Sequence, residues 1–208
     1  MKPAVVGTLP MMEYAVSSIP AAGQVESGDS HLVTQTARGT LVAVVDGSGH
    51  GTEAANASRL AIATLEAHSN EGVIPLVRRC HDRLKATRGA VMSLVSFDGI
   101  ENTITWLGVG NIEGILLRGS PSANPGRETI FLRPGVVGYR LPPLQATVMP
   151  LTLGDSLILT TDGIRGDFAR QFAIEDQPRQ IAEYISANFR RSEDDCLVLV
   201  ARYVGTTE

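Results

Sequence analysis

Three stretches, LVAVV at 41–45, LILTT at 157–161 and CLVLV at 196–200, read as strands that are apolar on both faces. Side chains alternate across a strand, so each of these needs cover on two sides. A doubly wound parallel sheet would supply it, but only with strands and helices in strict alternation. This chain instead runs strands, two helices, many strands, one or two helices and a last strand. Two stacked sheets, each with helices on its outer face, meet the requirement. The expected fold is α+β, a four-layer α/β/β/α sandwich of two antiparallel sheets flanked by helices. A length of 208 residues suits one domain, taken as 1–208, better than two.

Strand patterns fall at 14–19, 31–37, 41–45, 91–97, 103–109, 112–117, 129–132, 145–149, 156–161 and 196–204. Gly110-Asn111 reads as a hairpin-like turn between two of them. A helix is expected at 52–68, where Ala, Leu and Ile dominate and no Gly or Pro intervenes. A second is expected at 72–87, with Val73, Leu76, Val77, Cys80 and Leu84 at helical spacing and Pro75 in the tolerated first turn. A third spans 177–190, with Asp176 as its N-cap. Residues 120–126 and 133–143, rich in Pro and Gly, read as loop and irregular chain.

Acids punctuate the apolar strands. Asp46 follows the first, Asp162 follows the second, and Asp194 and Asp195 precede the third. If the third runs antiparallel to the others, these carboxylates gather at one end of the sheets. Asp29, at the start of another strand, could join them. Clustered carboxylates cannot all ionise unless a cation neutralises them, and hard divalent ions with oxygen ligands are the natural partners. Each Asp-Gly alone is an ordinary turn signal; the joint pattern carries the inference.

The segment DGSGHG at 46–51 admits three readings: a phosphate-cradling loop, the His-Gly-Thr of a serine protease, or a metal-binding strand end. Gly47, Gly49 and Gly51 lack dinucleotide-loop spacing, and no Lys-Ser/Thr follows them. His50-Gly51-Thr52 comes only four residues after Asp46, and the chain has no Gly-Thr-Ser-x-Ala nucleophile segment.

Composition narrows the function classes. The net charge is −4, and no Lys/Arg block offers a footprint for nucleic acid. No apolar run has the length of a membrane span, and the N-terminus is a poor signal peptide. Cys80 and Cys196, far apart and each in an apolar segment, read as buried free thiols. The expected location is the cytoplasm.

Asp46-Gly47-Ser48-Gly49-His50-Gly51, Thr161-Asp162-Gly163 and Asp194-Asp195-Cys196-Leu197-Val198 resemble the ordered motifs of the metal-dependent protein phosphatase 2C family, in its bacterial SpoIIE/RsbU branch. The resemblance covers roughly 26–204. Val109-Gly110-Asn111-Ile112 and GVVGYRLPPL at 135–144 are most similar to the stressosome feedback phosphatases of that branch. The resemblance implies a serine/threonine phosphoprotein phosphatase with two Mn²⁺ or Mg²⁺ ions, acting on phosphorylated STAS-domain scaffold proteins of a stressosome. It implies Asp46, the Gly47 carbonyl, Asp162 and Asp194 as metal ligands, with Asp29 in support. It offers His50 as a donor of the leaving-group proton. Four positions depart from the family pattern. Gly28-Asp29 stands for Glu-Asp, Asn111 for an Asp, and Ser48 for a His; no Arg occurs at 20–25. These departures motivate the alternative of a non-catalytic phosphoprotein-binding regulator. The oligomeric state stays open.

Overall fold

The computed structural model describes residues 3–120, 125–129, 131–170 and 176–205. Eleven strands and three α-helices follow in this order: β1 (Val5–Leu9), β2 (Met12–Ile19), β3 (Asp29–Gln35), β4 (Gly39–Gly47), α1 (Gly51–Ala67), α2 (Val73–Leu84), β5 (Ala90–Asp98), β6 (Thr103–Val109), β7 (Glu113–Leu117), β8 (Arg127–Glu128), β9 (Thr147–Pro150), β10 (Ser156–Thr160), a 3₁₀ turn (Gly166–Arg170), α3 (Pro178–Phe189) and β11 (Cys196–Tyr203). One sheet has the order β1-β2-β11-β10-β7-β8 and the other β3-β4-β5-β6-β9. The pairings between these strands are all antiparallel.

The two-faced strands explain the layering. In β4, Val42 and Val44 enter the core between the sheets, while Leu41, Ala43 and Val45 meet Ala57, Ala61 and Leu65 of α1 and Leu76 of α2. In β11, Leu197 and Leu199 face the inter-sheet core, while Val198 and Val200 meet Ile181 and Ile185 of α3. Each of the Val, Leu and Ile side chains contributes roughly 1.5–3 kcal/mol by leaving water, so neither face can be left open. Trp106 fills the inter-sheet core, and its indole N–H donates to Ser93 Oγ at 2.8 Å. The layers are therefore α1 and α2, one sheet, the other sheet, and α3.

Cys80 and Cys196 are free and buried, and burial pushes their thiols up to about 12 and about 11. They are inert core residues at neutral pH. Among the described residues no helix is long and apolar enough to cross a membrane.

Several local expectations change. Gly110-Asn111 does not close a hairpin: β6 lies in one sheet and β7 in the other. Val109 joins the core under α1 and α2, whereas Ile112 joins the core between the sheets, so the chain crosses between layers here. Gly110 takes φ +102° to make that crossing. The N-cap of α3 is Gln177, not Asp176; its backbone N–H donates to Gln180 Oε1 at 2.9 Å in a capping box. Pro178, preorganised for the first helical turn, sets that start. The strand expected at 129–132 is absent at 129, 131 and 132, residue 130 lying outside the described residues; the pairing strand is instead Arg127–Glu128. β1 has no counterpart in the sequence reading, because as an edge strand it is mostly exposed and carries no apolar alternation.

Candidate metal centre

The two sheets each deliver acids to the same end of the sandwich. Asp29 opens β3 and Asp46 nearly closes β4, and the two are directly opposed in the antiparallel register. Opposed residues lie about 4.5–5.5 Å apart at Cα and share a face. In the second sheet β10 runs antiparallel to β11. Asp162 follows the end of β10, and Asp194 and Asp195 precede β11, so all three reach the same edge.

Thr161 ties the sheets together. Its Oγ1 donates to Asp29 Oδ2 at 2.7 Å and accepts the Leu197 N–H at 2.9 Å. Asn111 Nδ2 donates to Asp162 Oδ2 at 2.8 Å. A neutral amide there orients Asp162 without adding charge, whereas an acid at 111 would add a further repulsion.

The neighbouring acids 194 and 195 have separate roles. Asp194 is exposed, and its Oδ1 accepts the Asp195 N–H at 2.9 Å. Asp195 is buried, and its two oxygens accept the backbone N–H groups of Ala21 at 2.8 Å and Gly28 at 2.7 Å. It staples both ends of the β2–β3 loop to the start of β11. The sequence motif places both acids in one pair and holds no signal that would divide their work. The parts played by Thr161 and Asn111 are likewise visible only in the tertiary structure.

The glycines after the two strand-end acids are required by close backbone approach. A Cβ on Gly47 would lie 2.0 Å from the Ala54 carbonyl oxygen, and one on Gly163 would lie 1.9 Å from that of Asp195. Any side chain would push α1 off β4, or the acidic turn off β11. Gly49 has φ +97° and Gly51 φ +72°, the left-handed region that glycine enters without strain.

Burial is the main influence on Asp46. The charges of Asp29, Asp162, Asp194 and Asp195 act in the same direction and push its carboxyl up to about 8. Asp29 is raised to about 7, again chiefly by burial, with the Thr161 hydrogen bond in opposition. Asp194, although exposed as a residue, is raised by the partial desolvation of its carboxyl and then by Asp162. No hydrogen bond to the Asp46 carboxylate occurs among the described residues. A cation placed here would relieve both the repulsion and the missing partner, and the hard oxygen donors suit Mg²⁺ or Mn²⁺. Among the described residues no group of three or more His, Cys, Asp or Glu side chains is arranged to hold an ion by itself. Backbone carbonyl and water would therefore have to complete the ligand set, as is usual for Mg²⁺. His50 stands apart from the acids in this respect. It is exposed, occupies the extended N-cap position of α1 and makes no capping hydrogen bond.

Residues 36–204 match the sequence model of the stage II sporulation protein E (SpoIIE) family. The chain is 28% identical over 156 residues to the phosphoserine phosphatase RsbX of Bacillus subtilis (strain 168), covering 74% of this chain and 75% of that one. A solved structure described under the bacterial stressosome, a modular system adapted to control secondary messenger signalling, is 30% identical with a TM-score of 0.82. It covers 92% of this chain and 99% of its own. A crystal structure of RsbX in complex with magnesium has a TM-score of 0.85 at 22% identity, covering 96% and 99%.

Proposed function

The chain belongs to the SpoIIE family of PP2C-type phosphatase domains, and on that footing we propose that it is a metal-dependent phosphatase that removes phosphate from serine or threonine of stressosome STAS-domain proteins. The observation that carries the chemistry is the Asp29–Asp46 register pair meeting Asp162 and Asp194 from the second sheet. The likeness to RsbX and to a stressosome structure supports the substrate class. In this reading residues 1–208 form one phosphatase domain that works in the cytoplasm as negative feedback on a stress response.

Asp46, the Gly47 carbonyl, Asp162 and Asp194 would hold two Mn²⁺ or Mg²⁺ ions, with Asp29 in support. When bound, such ions supply a water of lowered pKa and positive charge for the phosphoryl oxygens. The chain's own residues do the rest. Thr161 fixes Asp29, Asn111 fixes Asp162, and the Asp195 N–H fixes Asp194. Gly47 and Gly163 keep the two acidic turns close to their neighbours. His50, exposed at the N-cap of α1, would in this reading give a proton to the leaving serine oxygen.

Incubation with a panel of phosphorylated STAS-domain proteins and Mn²⁺ should release inorganic phosphate, and EDTA should stop the release. Binding of a phosphoprotein with no turnover would favour the non-catalytic regulator instead. The His50 role has its own readout. His50→Gln should lower turnover of a phosphoserine substrate by about 10²-fold, yet leave p-nitrophenyl phosphate nearly unaffected, because nitrophenolate leaves without a proton. Equal losses on both substrates would remove His50 from that role.

A further inference from the structure

We propose that Arg88 binds the phosphoryl oxygens of the substrate, a role that rests on the phosphatase reading above. The β2–β3 segment at 20–25 contains no arginine. Arg88 reaches the same end of the sandwich from a different direction, the turn between α2 and β5. Gly47 is paired with Ala90, and the Ser48 N–H donates to the Gly89 carbonyl at 3.0 Å. These contacts fix residue 88 beside the loop that leaves Asp46.

The guanidinium has a defined place. A Cβ on Gly49 would lie 2.9 Å from Arg88 Nη1, so the guanidinium rests against the bare backbone of Gly49. Glu53, in the first turn of α1, pairs with Arg88 Nε. The Arg88 side chain remains 57% exposed. It lines an open depression of about 360 Å³ together with Glu53, Asn56, Ala86 and Thr87. A guanidinium held through Nε still presents its two Nη groups as a fork, the geometry that grips two oxygens of a phosphate. Arg59 pairs with Glu26 and Asn56, Arg190 donates to the Pro20 carbonyl, and Arg191 precedes β11 of the other sheet, where its charge acts on Asp194. Arg88 combines a fixed direction with open donors at the loop where the phosphoryl group would enter.

The test uses the full chain loaded with Mn²⁺. Arg88→Ala should raise KM for p-nitrophenyl phosphate about tenfold, with kcat within about twofold, the pattern of lost uniform binding. Titration calorimetry should show inorganic phosphate binding weakened by a similar factor, with Mn²⁺ affinity and Tm unchanged. Arg88→Lys should recover part of the loss, since a point charge replaces the fork. Unchanged KM and phosphate affinity would overturn the proposal. So would a KM increase confined to the phosphoprotein, which would place Arg88 in protein docking, or a fall in Tm, which would make it structural. If the wild type binds phosphate through Arg88 but turns nothing over, the enzyme reading fails while this inference stands.

Discussion

Asp46→Asn should abolish phosphate release, by about 10³-fold or more, while raising the melting temperature of the metal-free protein. Both effects come from one carboxylate. In the proposed metal site the group would act through its charge on a cation, and asparagine offers only a neutral oxygen. Without a cation that charge is a burden, because burial and four neighbouring acids hold the carboxyl at about 8. In the unfolded chain the same group titrates near 3.8. Between these values the native state keeps a proton that the unfolded state has lost. Stability must therefore fall as pH rises through that window, and level off above it. In EDTA the wild type should melt at progressively lower temperature from pH 5 to pH 8, and the asparagine variant should show a shallower slope. At pH 8 the variant should be more stable by about 2 kcal/mol, or roughly 5 °C. Mn²⁺ should restore the wild type and do little for the variant. A variant that melts lower than wild type across the whole range, or that retains turnover, would refute the account of this residue.

The second large effect belongs to Asp195. Asp195→Ala should cost about 3 kcal/mol and roughly 10 °C in Tm. Two charge-assisted hydrogen bonds, to Ala21 and Gly28, vanish and leave both N–H groups without their acceptor. Removing the charge also relieves repulsion on Asp29 and Asp46, but that contribution ranks below burial for both. The hydrogen bonds decide the sign. Gly28 immediately precedes Asp29, so Mn²⁺ affinity should fall too, although Asp195 itself is turned toward backbone. Asp195→Asn should sit between the two, since one amide oxygen can still accept. Thermal melts with and without Mn²⁺ check this; an alanine variant within 1 kcal/mol of wild type would show that the staple is dispensable.

The sequence showed its layering because β4, β10 and β11 carry apolar residues on both faces, a pattern with few physical solutions. The gathering of acids at one edge was legible for a related reason. A strand-end Asp followed by Gly repeats at Asp46 and Asp162, and Asp194-Asp195 precedes a strand of opposite direction. What stayed hidden depended on long-range partners. Thr161 reads as the end of a strand until Asp29 stands beside it, 132 residues away in the chain. Asp194 and Asp195 are alike until the backbone of Ala21 and Gly28 singles out one of them. Gly110-Asn111 has hairpin composition, and only the two cores it separates make it a crossing. The exposed β1 buries too little to leave a periodic trace.

The position of β11 shapes how the molecule comes together. It pairs with β2 on one side and β10 on the other, so the middle of that sheet is filled by the last strand among the described residues. The β2 register joins Cys196 to Ile19 and Tyr203 to Met12. Such distant pairings carry a large loop-closure cost, which slows folding. The sheet of β3, β4 and β5, with α1 and α2, is built from consecutive chain and can form early. During synthesis, then, Asp29 and Asp46 can be paired well before Asp162 and Asp194 have a sheet to stand on. The acidic edge is completed only when β11 slots between its neighbours, so catalytic competence should appear in the slowest folding phase.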